Sequence, residues 1–275
     1  MHPTVERAVE RYLAQVDRLL PGLVTGFYVV GSTAYDAYRD GRSDIDFVAV
    51  VDDDLTPAQL RRLRIQHQQS GMHTALSALG RRRSPTTGTC NGVFIRSTDL
   101  SQPVSAITPV AHHVGVSFGT GPAGSDVSPV AWKTLAERGI PVRGPDPSTL
   151  GLDPQLELLR SWNHGNLESY WRPWAGRVHR SPRRWFTGRP RYWTAWGTLG
   201  PPRLHCTMAT GEVVSKEAAG EYALDVFPSR WHPLIIDALA YVRSQPDQLR
   251  WSPAQRGRRT ADFVDEVIAS GTDLP

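Results

Sequence analysis

The chain has 275 residues, 40% of them apolar and 21% charged, and a net charge of +4 with a pI near 9.3. These values exclude a disordered chain and predict one large or two ordinary soluble domains. No apolar run approaches the ~18 residues of a membrane span and no signal peptide is evident, so the cytoplasm is the expected compartment. Cys90 and Cys206 are distant in sequence and read as free thiols, and no Cys/His cluster has zinc-ligand spacing.

In chain order, Val5, Val9, Tyr12, Leu13, Val16 and Leu20 recur at helical spacing, with Thr4 as the expected N-cap and Pro21-Gly22 as the stop. Leu23 to Val30 reads as a first strand and Asp44 to Val51 as a second. Thr56-Pro57 opens a helix that should run to about Leu79, before a loop from Arg81 to Gly88. Gly92 to Arg96 and His112 to Phe118 predict two further strands. The Gly/Pro/Ser-rich stretch 119–128 reads as a surface loop, 130–138 as a helix ended by Gly139, and Pro141 to Pro147 as a junction. Beyond about residue 153 strand patterns give way to helical ones at 155–172, 190–199, 202–209, 216–226, 231–244 and 260–270. Pro201-Pro202 should break one helix and start another with Arg203 in its first turn; Ser215 is the expected N-cap at Lys216 and Gly271 the last stop. The expectation is an α/β (α+β) domain with a mixed sheet over residues 1–150 and an all-α helical bundle over 151–275.

The chemistry concentrates in residues 29–51. An apolar run ends at Gly31-Ser32, and after eleven intervening residues Asp44-Ile45-Asp46 leads into Phe47 to Val51. Residues i and i+2 of a strand share a face, so Asp44 and Asp46 should present their carboxylates together while Ile45 turns into the core. A small-residue turn able to approach phosphates, beside paired hard oxygen ligands, suits metal-assisted phosphoryl transfer.

This pattern, hydrophobic–Gly–Ser–x11–Asp–x–Asp–hydrophobic, resembles the signature of nucleotidyltransferases with a polymerase-β-like core. The segment Arg203-Leu-His-Cys-Thr-Met-Ala-Thr-Gly-Glu-Val-Val-Ser-Lys216, the later Ala240-Tyr241, and Leu135 to Pro145 resemble the aminoglycoside adenylyltransferases that modify streptomycin and spectinomycin. The resemblance implies Mg²⁺ held by Asp44 and Asp46, ATP as substrate, and AMP moved to a hydroxyl of a small molecule. It also implies nucleotide contacts from Gly31, Ser32, Ser43, Arg203, Lys216 and Tyr241, with closure of the two domains on nucleotide.

Two departures narrow that expectation. Where the family carries a third carboxylate, as general base on the next strand, this chain has Asn91, which takes no proton near neutral pH. Asp99, His112 and His113 are the nearby alternatives. The stretch Arg189-Pro-Arg-Tyr-Trp-Thr-Ala-Trp carries cations and aromatics and no acid, which disfavours a polycation such as streptomycin as acceptor. Six arginines between 177 and 191 also admit transfer to RNA or protein, and the missing base admits a chain that binds nucleotide with little turnover.

Overall fold

The structure, a computed structural model, describes residues 1–81, 89–115, 117–186 and 190–274, with no side chains over 70–81. Of the loop expected from Arg81 to Gly88, Arg81 ends a helix and the rest lies outside the described residues, as does Arg189. The chain divides into two compact units, 1–156 and 157–275.

In the first unit α1 (Pro3–Leu19) turns Val5, Val9, Tyr12, Leu13 and Val16 inward. Its cap is His2 rather than Thr4: the His2 ring accepts the Thr4 N–H at 3.2 Å, and Pro3, which has no N–H to satisfy, takes the first helical position. Then follow β1 (Gly26–Val30), the one-turn α2 (Gly31–Ala34), β2 (Ile45–Val51), α3 (Pro57–Arg81) and β3 (Cys90–Arg96). β4 (Ala111–Val114), β5 (Ser117–Gly119), α4 (Pro129–Arg138) and β6 (Ile140–Arg143) complete it. The strand expected over His112 to Phe118 is thus a tight hairpin of two strands around Gly115, whose φ is +60°. Ile140–Arg143, expected within the junction, is an edge strand paired antiparallel with β1.

The sheet runs β5-β4-β3-β2-β1-β6 and is mixed, with β2 and β3 parallel and the other pairs antiparallel. Its two faces bury separate cores. Phe27, Val29, Ile45, Phe47 and Phe94 pack with α1 and Leu63 of α3, and Tyr28, Val48, Val50, Val93 and Ile95 pack with Trp132 and Leu135 of α4. The strict alternation along β2 assigns Asp44 and Asp46 to the α4 face, where Val48 and Val50 continue the row.

Among the described residues the second unit contains helices and no strand. They are α5 (Leu159–Asn166), a π turn (Leu167–Trp171), α6 (Arg172–Arg180), α7 (Pro182–Phe186), α8 (Pro190–Thr210), α9 (Lys216–Val226), α10 (His232–Val242) and α11 (Pro253–Thr272). Two expectations fail here. Pro201 and Pro202 lie inside the single long helix α8, and Arg203 is mid-helix. Proline deprives the preceding turn of two hydrogen bonds, but both prolines are buried and packing of α8 against α9, α10 and α11 holds the helix together. Gly200 fits because a Cβ there would stand 2.3 Å from the Trp171 ring. Gly271 does not stop α11, which ends at Thr272 with Asp273 as C-cap. Ser215 does cap α9, accepting the Ala218 N–H at 3.1 Å. Among the described residues no helix is long and apolar enough to cross a membrane.

The arginine-rich segment is divided by the fold. Arg177, Arg180, Arg183 and Arg184 are exposed on α6 and α7, whereas Arg191 is drawn inward. Its guanidinium donates to the carbonyls of Gln245 (3.0 Å) and Pro246 (3.2 Å), and lies 3.8 Å from Asp237. Trp185, Tyr192 and Trp193 pack edge-on against one another, which makes them satellites of the core rather than a free stacking platform.

Burial of histidines makes the first unit acid-sensitive. His67 stacks on His113 with centroids 3.7 Å apart. Burial pushes the His67 ring down from 6.5 to about 4, against hydrogen bonds to the Gly115 and Ser117 backbone. Burial and the neighbouring rings of His67 and His112 also hold His113 well below 6.5. Between these values the unfolded chain binds more protons than the folded one. Stability should therefore be complete above about pH 6.5 and fall progressively as pH drops toward about 4. Thermal unfolding between pH 7 and 4.5 checks this: His67→Phe should flatten the decline, and an unchanged slope would contradict the assignment.

Candidate functional site

The site grows from three adjacent strands. Antiparallel pairing sets Val30 opposite Asp46, and parallel pairing sets Asp46 opposite Asn91. The chain leaves β1 through Gly31 at φ +62°, a left-handed conformation that disfavours side chains. A Cβ at Gly31 would lie 2.1 Å from Asp46 Oδ2, so only hydrogen there leaves room for the carboxylate. Gly31→Ala should thus displace Asp46 and cost about 1–2 kcal/mol from the backbone alone. Denaturation and Mg²⁺–ATP titration of that variant would show it, and wild-type values in both would contradict it.

Ser32 follows on α2. Its Oγ is buried and has no hydrogen-bond partner, as has Thr33 Oγ1. Buried hydroxyls are normally satisfied, so an orphan beside a carboxylate pair marks a place where an external group fits. Ser43 closes the turn before β2, its Oγ accepting the Arg39 N–H at 3.1 Å while its own N–H reaches the Arg39 carbonyl at 2.9 Å. The Ser43 hydroxyl proton is not used in that contact. Strand β2 begins at Ile45, one residue later than expected, so Asp44 sits on the turn that delivers Asp46.

Asn91 is 2% exposed and rotationally fixed. Its Oδ1 accepts from the Gly115 N–H at 2.9 Å and from Thr89 Oγ at 3.3 Å, which leaves Nδ2 to donate to Asp44 Oδ2 at 3.1 Å. A backbone N–H can only donate, so this orientation of the amide is dictated. Asn91 is a donor to the carboxylate pair and takes no proton from anything.

The alternatives of the sequence reading are placed elsewhere. Asp99 is held by Arg96, with Nε to Oδ2 at 2.8 Å. His113 belongs to the opposite face, with Tyr12 Oη 3.0 Å from its Nε2 and Phe47 and Phe94 around it. Cys90, beside Asp46, is no nucleophile: burial and then the Asp46 charge push its thiol up to about 12. His112 is on the site's face and packs under the 119–128 loop, where a Cβ at Gly119 would lie 2.6 Å from its ring. Burial lowers its pKa, while the charge of Asp126 and a hydrogen bond to the Ala123 backbone oppose the shift.

Asp126 is the residue that sequence reading passed over, a single acid in a loop of Gly, Pro and Ser with no motif around it. It keeps a solvent-facing surface, yet enough of the chain surrounds it to raise its carboxyl, first by desolvation and then by the Asp44 charge, with His112 opposing. Among the described residues no three His, Cys, Asp or Glu side chains converge at cation-ligand spacing.

In the second unit, Arg203 of α8 and Lys216 at the start of α9 are brought near each other, since Arg203 Nε donates to the Val214 carbonyl at 3.0 Å. Lys216 is exposed. Tyr241 is 8% exposed, with the Arg191 guanidinium 5.6 Å over its ring, which makes it a packed aromatic of α10.

Comparison with known proteins agrees with this layout. Residues 9–74, which include Gly31, Ser32, Ser43, Asp44 and Asp46, match the model of the nucleotidyltransferase domain. Residues 184–269, which include Arg203, Lys216 and Tyr241, match that of the aminoglycoside adenylyltransferase C-terminal domain. No curated protein matches the chain significantly. Among solved structures, spectinomycin adenyltransferase AAD(9) from Enterococcus faecialis, determined with ATP and spectinomycin, superimposes with a TM-score of 0.67 at 14% identity. That match covers 94% of this chain and 99% of the other, a likeness of fold. The chain thus carries a match to the nucleotidyltransferase domain followed by one to the C-terminal domain of the aminoglycoside adenylyltransferases, and it resembles that family.

Proposed function

We propose that the protein moves AMP from ATP to a hydroxyl of a small molecule, with Mg²⁺ at Asp44 and Asp46, in the cytoplasm. The observation that carries this reading is the cradle at the end of β1: Gly31 open against the Asp46 carboxylate, with the buried Ser32 hydroxyl lacking a partner. The donor set fits the metal, because Mg²⁺ favours hard oxygens and is commonly held by one or two carboxylates, the substrate's phosphates and water completing its shell. When bound, the metal neutralises phosphate charge and favours in-line displacement at the α-phosphorus.

The chain's own groups do the rest. Gly31 lets a phosphate approach the backbone and the Ser32 hydroxyl donates to its oxygen, with Ser43 as a second donor. The Asn91 amide steadies the Asp44 carboxylate through its hydrogen bond. From the family resemblance, Arg203 and Lys216 contribute positive charge to the triphosphate and Tyr241 packs beside the nucleotide. The acceptor is a hydroxylated small molecule other than streptomycin. Arg191 is engaged within its own unit, and the stretch Tyr192 to Trp196 offers no acid to a polycation.

Calorimetric titration with ATP tests the binding half of this reading. Affinity should depend on Mg²⁺ and fall in Asp46→Asn; binding that is indifferent to both would overturn it. A second reading, nucleotide binding with little turnover, is favoured by one observation, the fixed donor orientation of Asn91. Pyrophosphate release above that of Asp46→Asn separates the two.

A further inference from the structure

We propose that Thr89, Asn91 and the Gly115 turn form a brace that sets the orientation of the Asp44 carboxylate for Mg²⁺, so that a carboxylate restored at position 91 impairs the site instead of completing it; this rests on the nucleotidyltransferase reading above. A chain of hydrogen bonds carries the argument. The Ile45 N–H, between the two aspartates, donates to the Thr89 carbonyl at 2.9 Å and fixes the backbone where β2 begins. The Thr89 hydroxyl and the Gly115 N–H both donate to Asn91 Oδ1, at 3.3 Å and 2.9 Å, and Asn91 Nδ2 donates to Asp44 Oδ2 at 3.1 Å.

The sheet brings these groups together from separate segments. In the parallel pair of β2 and β3, Ile45 lies opposite Cys90 and Asp46 opposite Asn91, so Thr89 and Asn91 flank the partner of Ile45. In the antiparallel pair of β3 and β4, Gly92 lies opposite His113, which carries the turn at Gly115 to the start of β3. The left-handed backbone of Gly115, at φ +60°, makes that turn and delivers its N–H to the Asn91 side chain. Thr89 and Asn91 are both buried, so water does not compete for these bonds.

The brace is directional. A carboxylate has two oxygens and about four lone-pair sites, so one bond to Oδ2 orients Asp44 and leaves it able to hold a cation. Partners of this kind, bonded to the carboxylates that hold a metal, commonly change metal affinity about 10–100-fold when removed. An aspartate at position 91 could still accept from Gly115 and Thr89 through one oxygen. Its other oxygen would stand where Nδ2 stands, 3.1 Å from Asp44 Oδ2. The attraction that orients Asp44 would then become repulsion between like charges. Asn91 is therefore a positioning residue acting through Asp44, and Thr89 acts through Asn91.

The full-length protein is titrated with ATP by calorimetry over a series of Mg²⁺ concentrations, with thermal unfolding of each variant alongside. Asn91→Leu, close in size but without donor or acceptor, should need about tenfold more Mg²⁺ than wild type to reach half of its full ATP affinity. Thr89→Val, which removes only the hydroxyl, should shift the same midpoint by about two- to threefold. With α-labelled ATP and hydroxylated acceptors, Asn91→Asp should lower pyrophosphate release about tenfold or more. Excess Mg²⁺ should return Asn91→Leu to within about threefold of wild-type release, a rescue that a merely structural role does not give. A Mg²⁺ midpoint unchanged in both Asn91→Leu and Thr89→Val would overturn the brace. Release by Asn91→Asp equal to or above wild type would overturn it too, in favour of a vacated base, and either result leaves the nucleotidyltransferase reading intact. If Asn91→Leu does not fold, the midpoint of Thr89→Val decides. Wild-type ATP binding that ignores Mg²⁺ would remove the underlying reading as well.

Discussion

Asp46→Asn should lower nucleotidyl transfer about a thousandfold, a loss of about 4 kcal/mol of transition-state stabilisation, without unfolding the first unit. The substitution preserves size and removes one negative charge at the place where Gly31 approaches most closely. The neighbouring strand residues Ile45 and Phe47 are wholly buried, so the backbone stays fixed by packing that the variant leaves untouched. Asp44→Ala is less clean, because it strips Asn91 Nδ2 of its acceptor inside the fold and adds a stability cost of about 1–3 kcal/mol. Steady-state pyrophosphate release paired with thermal unfolding separates the two effects. Retention of more than a tenth of wild-type turnover by Asp46→Asn would mean that its carboxylate is not part of the chemistry.

The largest stability effect is expected in the second unit, at Asp237. Its carboxylate is fully buried and joins three segments: Arg256 Nη1 of α11 donates to it at 2.6 Å, the Gln248 N–H at 2.9 Å, and Arg191 stands 3.8 Å away. Arg256 is 1% exposed, and its other contacts are Asp247 Oδ1 and the Leu249 carbonyl, both at 2.6 Å. Asp237→Ala leaves a buried guanidinium half-compensated and the Gln248 N–H unpaired, which should destabilise the unit by about 3–5 kcal/mol. Glu266→Ala removes an exposed ion pair to Arg230 and should cost no more than about 1 kcal/mol. Chemical denaturation of both variants measures the contrast, and equal, small effects would show that the buried pair contributes no more than a surface one.

Much of this molecule was legible in the chain because local signals and tertiary packing agree. The apolar run Phe47 to Val51 after Asp44-Ile45-Asp46 reads as the strand that the structure has, and the apolar spacing of α1 as its first helix. The Gly31-Ser32 and Asp44/Asp46 spacing led to the site because both halves of the motif are local and strand pairing closes the gap between them. Where local rules failed, long-range packing decided. Pro201-Pro202 reads as a break in any window, but burial of α8 among its neighbours overrides the lost hydrogen bonds. Ile140–Arg143 reads as a linker because only pairing with β1 makes it a strand. The packing of the 119–128 loop on His112 was illegible for a similar reason, since no spacing encodes it.

The central claim is that a two-carboxylate site with Asn91 in the third position still transfers nucleotide. Its most direct test is release of pyrophosphate from α-labelled ATP, with Mg²⁺ and hydroxylated acceptors, by wild type beside Asp46→Asn. Label appearing on an acceptor in step with pyrophosphate, dependent on Mg²⁺ and lost in the variant, is the result predicted. Mg²⁺-dependent ATP binding with no label transferred to any acceptor, or equal release by wild type and variant, would contradict it.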